Sequence, residues 1–96
     1  MYIAVAKVIF DFYGNDELRQ KTRVLHELTK DLHKVFNVSA TQVEDFDDLE
    51  RGVLGVSATA ATAMAAKSVL KKALDHIDRT SPARVVMEET DIFGYE

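Results

Sequence analysis

Ninety-six residues make one domain, because a chain of this length buries only about two-thirds of the surface its unfolded form exposes and has no core to divide. Hydrophobic residues at 47% and charged residues at 29% lie well away from the composition of disordered chains, and the absence of cysteine excludes disulfides, thiolate nucleophiles, iron–sulfur clusters and cysteine-ligated zinc. The net charge of −4 hides a segregation, since residues 17–36 and 61–80 carry +4 between them and the remainder −8.

That total argues against tight nonspecific nucleic-acid binding, and hence against DNA, while leaving room for a local basic face. No apolar run approaches the roughly 20 residues of a membrane span, and the N-terminus has no basic segment followed by an apolar one, so the expectation is a cytoplasmic chain with no membrane partner.

Residues 2–12 are rich in β-branched and aromatic types and contain no breaker, which predicts a first strand. Its even positions, Tyr2, Ala4, Ala6, Val8, Phe10 and Phe12, are uniformly apolar and belong to the core, whereas the odd ones mix Ile3, Val5 and Ile9 with Lys7 and Asp11. Gly14-Asn15-Asp16 supplies a turn and N-cap chemistry, with Asp16 and Glu17 where a helix dipole favours negative charge.

Over residues 17–36, Leu18, Leu25, Leu28, Leu32, Val35 and Phe36 recur at helical spacing, with Val24 at the border of the stripe. Arg19, Arg23, His26, Lys30 and Lys34 follow one another by steps of four, three, four and four on the opposite face. Lys21 falls inside the apolar stripe one turn before Leu25, so its ammonium must snorkel to the helix end or meet an acidic partner.

Residues 38–44 and 53–59 read as the second and third strands, the latter alternating Leu54, Val56 and Ala58 against Gly55, Ser57 and Thr59. Between them Glu44, Asp45, Asp47, Asp48 and Glu50 crowd an acidic turn that ends in Arg51-Gly52. Residues 60–80 form a second helix with Ala66, Val69, Leu70, Ala73, Leu74 and Ile77 on one face, stopping before Ser81-Pro82 because proline disfavours helical geometry in its predecessor. Residues 84–91 make a fourth strand, and 92–96 an apolar tail.

The order βαββαβ, closed with right-handed crossovers, predicts an α+β ferredoxin-like domain: a four-stranded antiparallel sheet with two helices on one face. That topology brings the start of the first helix and the acidic hairpin to the same end of the sheet. Lys21 and Arg23 are then expected to approach Asp45, Asp47 and Arg51.

Glu17-Leu18-Arg19-Gln20-Lys21-Thr22-Arg23-Val24-Leu25, Phe36-Asn37-Val38-Ser39, the positions Asp45, Asp47 and Arg51, and Leu54-Gly55-Val56 occur in the order and spacing of a known pattern. Over nearly the whole chain they resemble the YlxP-like family, small bacterial proteins of domain-of-unknown-function class 503, whose pattern runs roughly S-L-K-x-K-R-x-V-L, F-N-V-S, D-x-D-L-W-x-R-A and L-G-V. The chain departs from it with Glu17 in place of serine, with Asp48 and Leu49 in place of the hairpin leucine and tryptophan, and with a longer, more aromatic tail. The resemblance implies a ferredoxin-like fold and no established enzymatic activity. Family members are commonly encoded beside translation-initiation and ribosome-maturation genes, which implies a ribosome or RNA connection by association.

The residues show no catalytic constellation. Phe12-Tyr13-Gly14-Asn15 lacks the glycines and arginine of a phosphate-cradling loop, and the open sheet face offers no aromatics for stacking bases. No metal or cofactor is implied, since His26 and His33 share a helix face without a third ligand and read as solvated surface histidines. The acidic hairpin reads as a solvated turn that protects a sheet edge, with hard-cation binding as its functional alternative.

Three surfaces remain. Lys21, Arg23, Asp45, Asp47 and Arg51 form either a salt-bridge network pinning the hairpin or a binding cluster, the former favoured. Arg19, Arg23, Lys30 and Lys34 are either candidate contacts for RNA phosphates or simply the solvated side of an amphipathic helix, the usual role of such a stripe, and Glu27 and Asp31 on its flanks weaken its field. Ile3, Val5, Ile9, Val43 and Val53 form a candidate self-association face on the open side of the sheet, unless the tail folds back over it. The favoured reading is a non-enzymatic interaction module, a homodimer with a ribosome or RNA link. The alternative is a dimeric small-molecule or cation-sensing regulatory domain.

Overall fold

Period-two alternation in the first strand sets the layers. In a computed structural model describing residues Met1–Glu96, Ala4, Ala6, Val8 and Phe10 are buried on one face of β1 (Tyr2–Asp11), and both helices lie over that face. The remaining elements are α1 (Leu18–Val35), β2 (Ser39–Glu44), β3 (Arg51–Ala60), α2 (Ala63–Thr80) and β4 (Arg84–Gly94). The strands form one antiparallel sheet in the order β2-β3-β1-β4, the α+β ferredoxin-like arrangement.

Leu25, Leu28 and Leu32 carry α1 onto the sheet, and Ala66, Leu70, Ala73, Leu74 and Ile77 do the same for α2. Val35 is left out of the core at 53% exposure, because the helix ends on it and Phe36 already turns into extended backbone. Gly52 lets α1 approach β3 closely: a Cβ there would lie 2.9 Å from Leu25 Cδ1 and 3.0 Å from Phe12 Cε1. α2 is capped by the Thr62 hydroxyl, which accepts the Ala65 N–H, and it ends at Ser81, whose extended ψ of 128° is what the following Pro82 demands. The N-cap of α1 is Glu17, which makes no side-chain capping bond, so the expected capping chemistry is not used there.

The tail is neither free nor folded across the sheet. β4 continues through it, pairing Ile92 with Ala4 and Phe93 with Ile3, and Met1 and Tyr95 extend the ladder by exchanging backbone hydrogen bonds. The edge of a long β1 offered more hydrogen-bonding partners than the open face did.

Candidate functional site

Lys21 lies one turn before Leu25 on the buried side of α1, and its side chain is fully buried. Its Nζ reaches the β2–β3 hairpin and donates to the carbonyls of Asp45 (2.7 Å), Arg51 (3.0 Å) and Asp48, with Phe46 O at 3.5 Å. An ammonium has three N–H donors and no acceptor, so the three nearest carbonyls use its whole capacity. Burial lowers the Lys21 pKa, and the charges of Asp48, Asp45 and Asp47 oppose that shift. A surface of acceptors alone favours the charged form against that burial.

The rest of the hairpin closes around this ammonium. Arg51 Nε donates to Asp45 Oδ2 at 2.9 Å, and Asp45 itself adopts a left-handed φ of 57° that aspartate tolerates better than most residues. Asp48 Oδ1 accepts the backbone N–H groups of Glu50 and Arg51, which holds its carboxyl below the usual range. The β1–α1 loop is latched on from outside: Asn15 Nδ2 donates to Leu49 O and Glu17 O, and Gly14 N–H donates to Glu50 Oε2.

Of the five charged residues expected to cluster, the structure brings Lys21, Asp45 and Arg51 together. Arg23 and Asp47 remain exposed with no ion pair or side-chain hydrogen bond. Asp48, Asn15 and Glu50 complete the latch and were not among the expected residues, since turn carbonyls and loop amides leave no periodic signature. In this arrangement the lysine meets main-chain carbonyls more closely than carboxylates.

The open sheet face corrects a second expectation. Ile9 and Val53 are 3% and 0% exposed, so the single chain already buries two members of the proposed self-association face. They pair across β1 and β3, next to Met87 of β4. Val43 lies over Gly55, where a Cβ would come within 2.8 Å of its Cγ1, and Lys7 reaches Glu44 on β2 at 2.9 Å. Ile3 and Val5 are half-buried, and Val43 is at the threshold of exposure at 38%. On this side β4 exposes Met87 and Phe93.

Of the histidines only the half-buried His76 departs from the solvated reading. His33 is exposed, and its Nε2 accepts the Ala40 N–H at 3.1 Å, which ties α1 to β2. His76 of α2 binds Asp31 of α1 at 2.5 Å and meets the Phe36 ring edge-on, joining the two helices. His26 stays exposed.

Arg19, Arg23, Lys30 and Lys34 all project from the exposed side of α1. None lies within 4.0 Å of a carboxylate oxygen, whereas Lys7, Arg51 and Lys71 each hold one.

The chain belongs to a family of unknown function: the model described as "Protein of unknown function (DUF503)" matches residues 3–90. No curated protein matches it. Among solved structures it is similar to a de novo designed protein, LFR1 1, with ferredoxin fold, determined by solution NMR. The TM-score is 0.52 at 20% identity, over 94% of this chain and 84% of the designed one. That likeness concerns the fold alone.

Proposed function

We propose that this member of the DUF503 family is a non-enzymatic interaction module whose α1 outer face contacts the phosphate backbone of structured RNA, of the kind a ribosome or a maturing subunit presents. One observation carries the reading: Arg19, Arg23, Lys30 and Lys34 are exposed and unpaired on a single helix face. Along the axis they span about 22 Å at the helical rise, enough to meet several phosphates. Of the acids beside them, Asp31 is engaged by His76, which moderates its repulsion of a phosphate. Contacts of this kind position a protein on RNA and carry no base specificity.

The sensing alternative needs the hairpin charges to be available to a ligand. Lys21 has its donors on carbonyls and Arg51 holds Asp45, so the RNA reading is favoured.

The test is fluorescence anisotropy with a labelled structured RNA hairpin across a range of salt. Binding should weaken linearly in log–log form, and the combined substitution R19A/R23A/K30A/K34A should reduce the slope by about 3, as the loss of four released counterions requires. Salt-independent binding, or an unchanged slope in the variant, rules the surface out.

A further inference from the structure

The sheet ends on β4, and no strand lies beside its outer edge. The opposite edge strand, β2, is short and bulged, with 6 residues against 11 in β4. Because Met1 and Tyr95 exchange both backbone hydrogen bonds, antiparallel alternation turns the N–H and C=O groups of Glu88, Thr90, Ile92 and Gly94 away from β1. Asp91 Oδ1 accepts the Ile92 N–H at 2.8 Å, a side-chain bond that an incoming carbonyl can replace.

Glu88, Thr90 and Ile92 stand opposite Val8, Ala6 and Ala4, so their side chains face the helical layer. α2 leaves them partly uncovered, and a groove of about 570 Å³ runs between the helix and the strand, with Leu70, Leu74 and Ile92 as apolar lining. Its charged lining is acidic by one: Lys67 and Lys71 stand against Asp75, Glu88 and Asp91. Lys71 holds Asp75 at 3.2 Å, while the exposed Glu88 has no cation within 4.0 Å. Burial and the neighbouring Asp78 and Asp75 hold its carboxyl above the usual glutamate range. On the other face of β4, the exposed Met87 and Phe93 flank Glu89 and Asp91.

We propose that the β4 edge and the α2–β4 groove dock an extended basic segment of another protein, which joins the sheet as a fifth strand, with its basic side chains toward Glu88 and its apolar ones toward Met87 and Phe93. Main-chain pairing supplies affinity in this mode, and alternate side chains supply selectivity. A second copy of the chain fits poorly. β4 carries Glu88, Glu89 and Asp91 against Arg84 alone, and antiparallel self-pairing would set acids against acids. The surface is distinct from the α1 stripe, so either can fail without the other.

The probe is a fluorescein-labelled peptide, Thr-Lys-Val-Lys-Val-Lys-Thr, titrated with the full chain in anisotropy and followed by amide hydrogen exchange. Binding should slow exchange at Glu88 and Thr90. Thr90→Pro removes an outward N–H without touching the β1 ladder and should weaken binding at least tenfold. Glu88→Lys should do the same with the backbone intact, and Thr90→Val should bind as the parent does. Any of these results overturns the proposal: no binding, binding without protection of β4, undiminished binding by folded Thr90→Pro, undiminished binding by Glu88→Lys, or equal binding of a peptide with glutamate in place of lysine. Protection of β4 that rises with protein concentration and no peptide would identify a second copy as the occupant, and overturns it equally.

Discussion

The β2–β3 hairpin and the α2–β4 groove each hold charged groups beside the core, and the chain completes one and leaves the other open. In the hairpin, Lys21 is fully buried and every N–H of its ammonium meets a carbonyl, while Asp48 and Asp45 each accept from nearby donors. In the groove, Glu88 sits among Asp75 and Asp78 with no cation at hand, beside a strand whose outward amides have no ladder to join. Lys21 is buried and its donors are met within the fold, which is how a buried polar group stabilises, whereas Glu88 is exposed and solvated. The first region therefore reads as structure, and the second as an accessible acidic surface.

The largest expected effect breaks the hairpin side of this contrast. Lys21→Met leaves the carbonyls of Asp45, Asp48 and Arg51 without their donor, and should cost about 3 kcal/mol after partial rehydration of the hairpin. Urea unfolding with an unchanged m-value reads it directly. A loss below about 0.5 kcal/mol would show that the hairpin does not depend on this ammonium. Next comes Gly52→Ala, where the new methyl meets Leu25 and Phe12 at the base of the same hairpin. Overpacking there should cost about 1–3 kcal/mol, and pairing it with Leu25→Val should recover part of the loss.

The smallest effects sharpen the comparison, because the two regions should respond to pH with opposite signs. Backbone N–H groups from Glu50 and Arg51 lower the pKa of Asp48. Its contribution is therefore present above the unfolded pKa and lost as pH falls through the folded one. Burial and two aspartates raise the pKa of Glu88. The folded state keeps that proton longer, so stability falls as pH rises from the ordinary glutamate range through the folded pKa. Asp48→Asn should lower the urea midpoint at neutral pH and flatten the acid limb. Glu88→Gln should raise the neutral midpoint and leave the acid limb alone. Midpoints that move in the same direction would erase the distinction between the two regions.

The sequence made the even face of β1, the leucine stripe of α1 and the stop at Ser81-Pro82 legible, because each follows from local geometry: a period of two, a period of 3.6, and the steric demand of proline. It also flagged Lys21, as a charge in an apolar stripe is a local contradiction. It did not reveal what that charge meets, since a carbonyl is a property of every residue and has no side-chain signature. Ile9 and Val53 were misplaced for a related reason. Alternation assigns a side chain to a face, while its burial on that face depends on neighbouring strands such as β4, whose tail pairing was itself unforeseen. The groove could have been sought through Lys67, Lys71, Asp75 and Asp78 at helical spacing on α2, and Glu88, Thr90 and Ile92 alternating on β4. Their meeting still depended on how the two elements pack.

By itself, then, the sequence determined the element order, the fold class and the core faces, because these depend on periodicities that any short stretch of chain expresses. Only the tertiary structure decided which charges are satisfied and which are left over. Satisfaction is a property of pairs distant along the chain, such as Lys21 with Arg51 O, or Glu88 with Asp75 and Asp78. Hydrogen bonds and charge pairs act over a few ångströms, so their partners are fixed only when the sheet and helices come together.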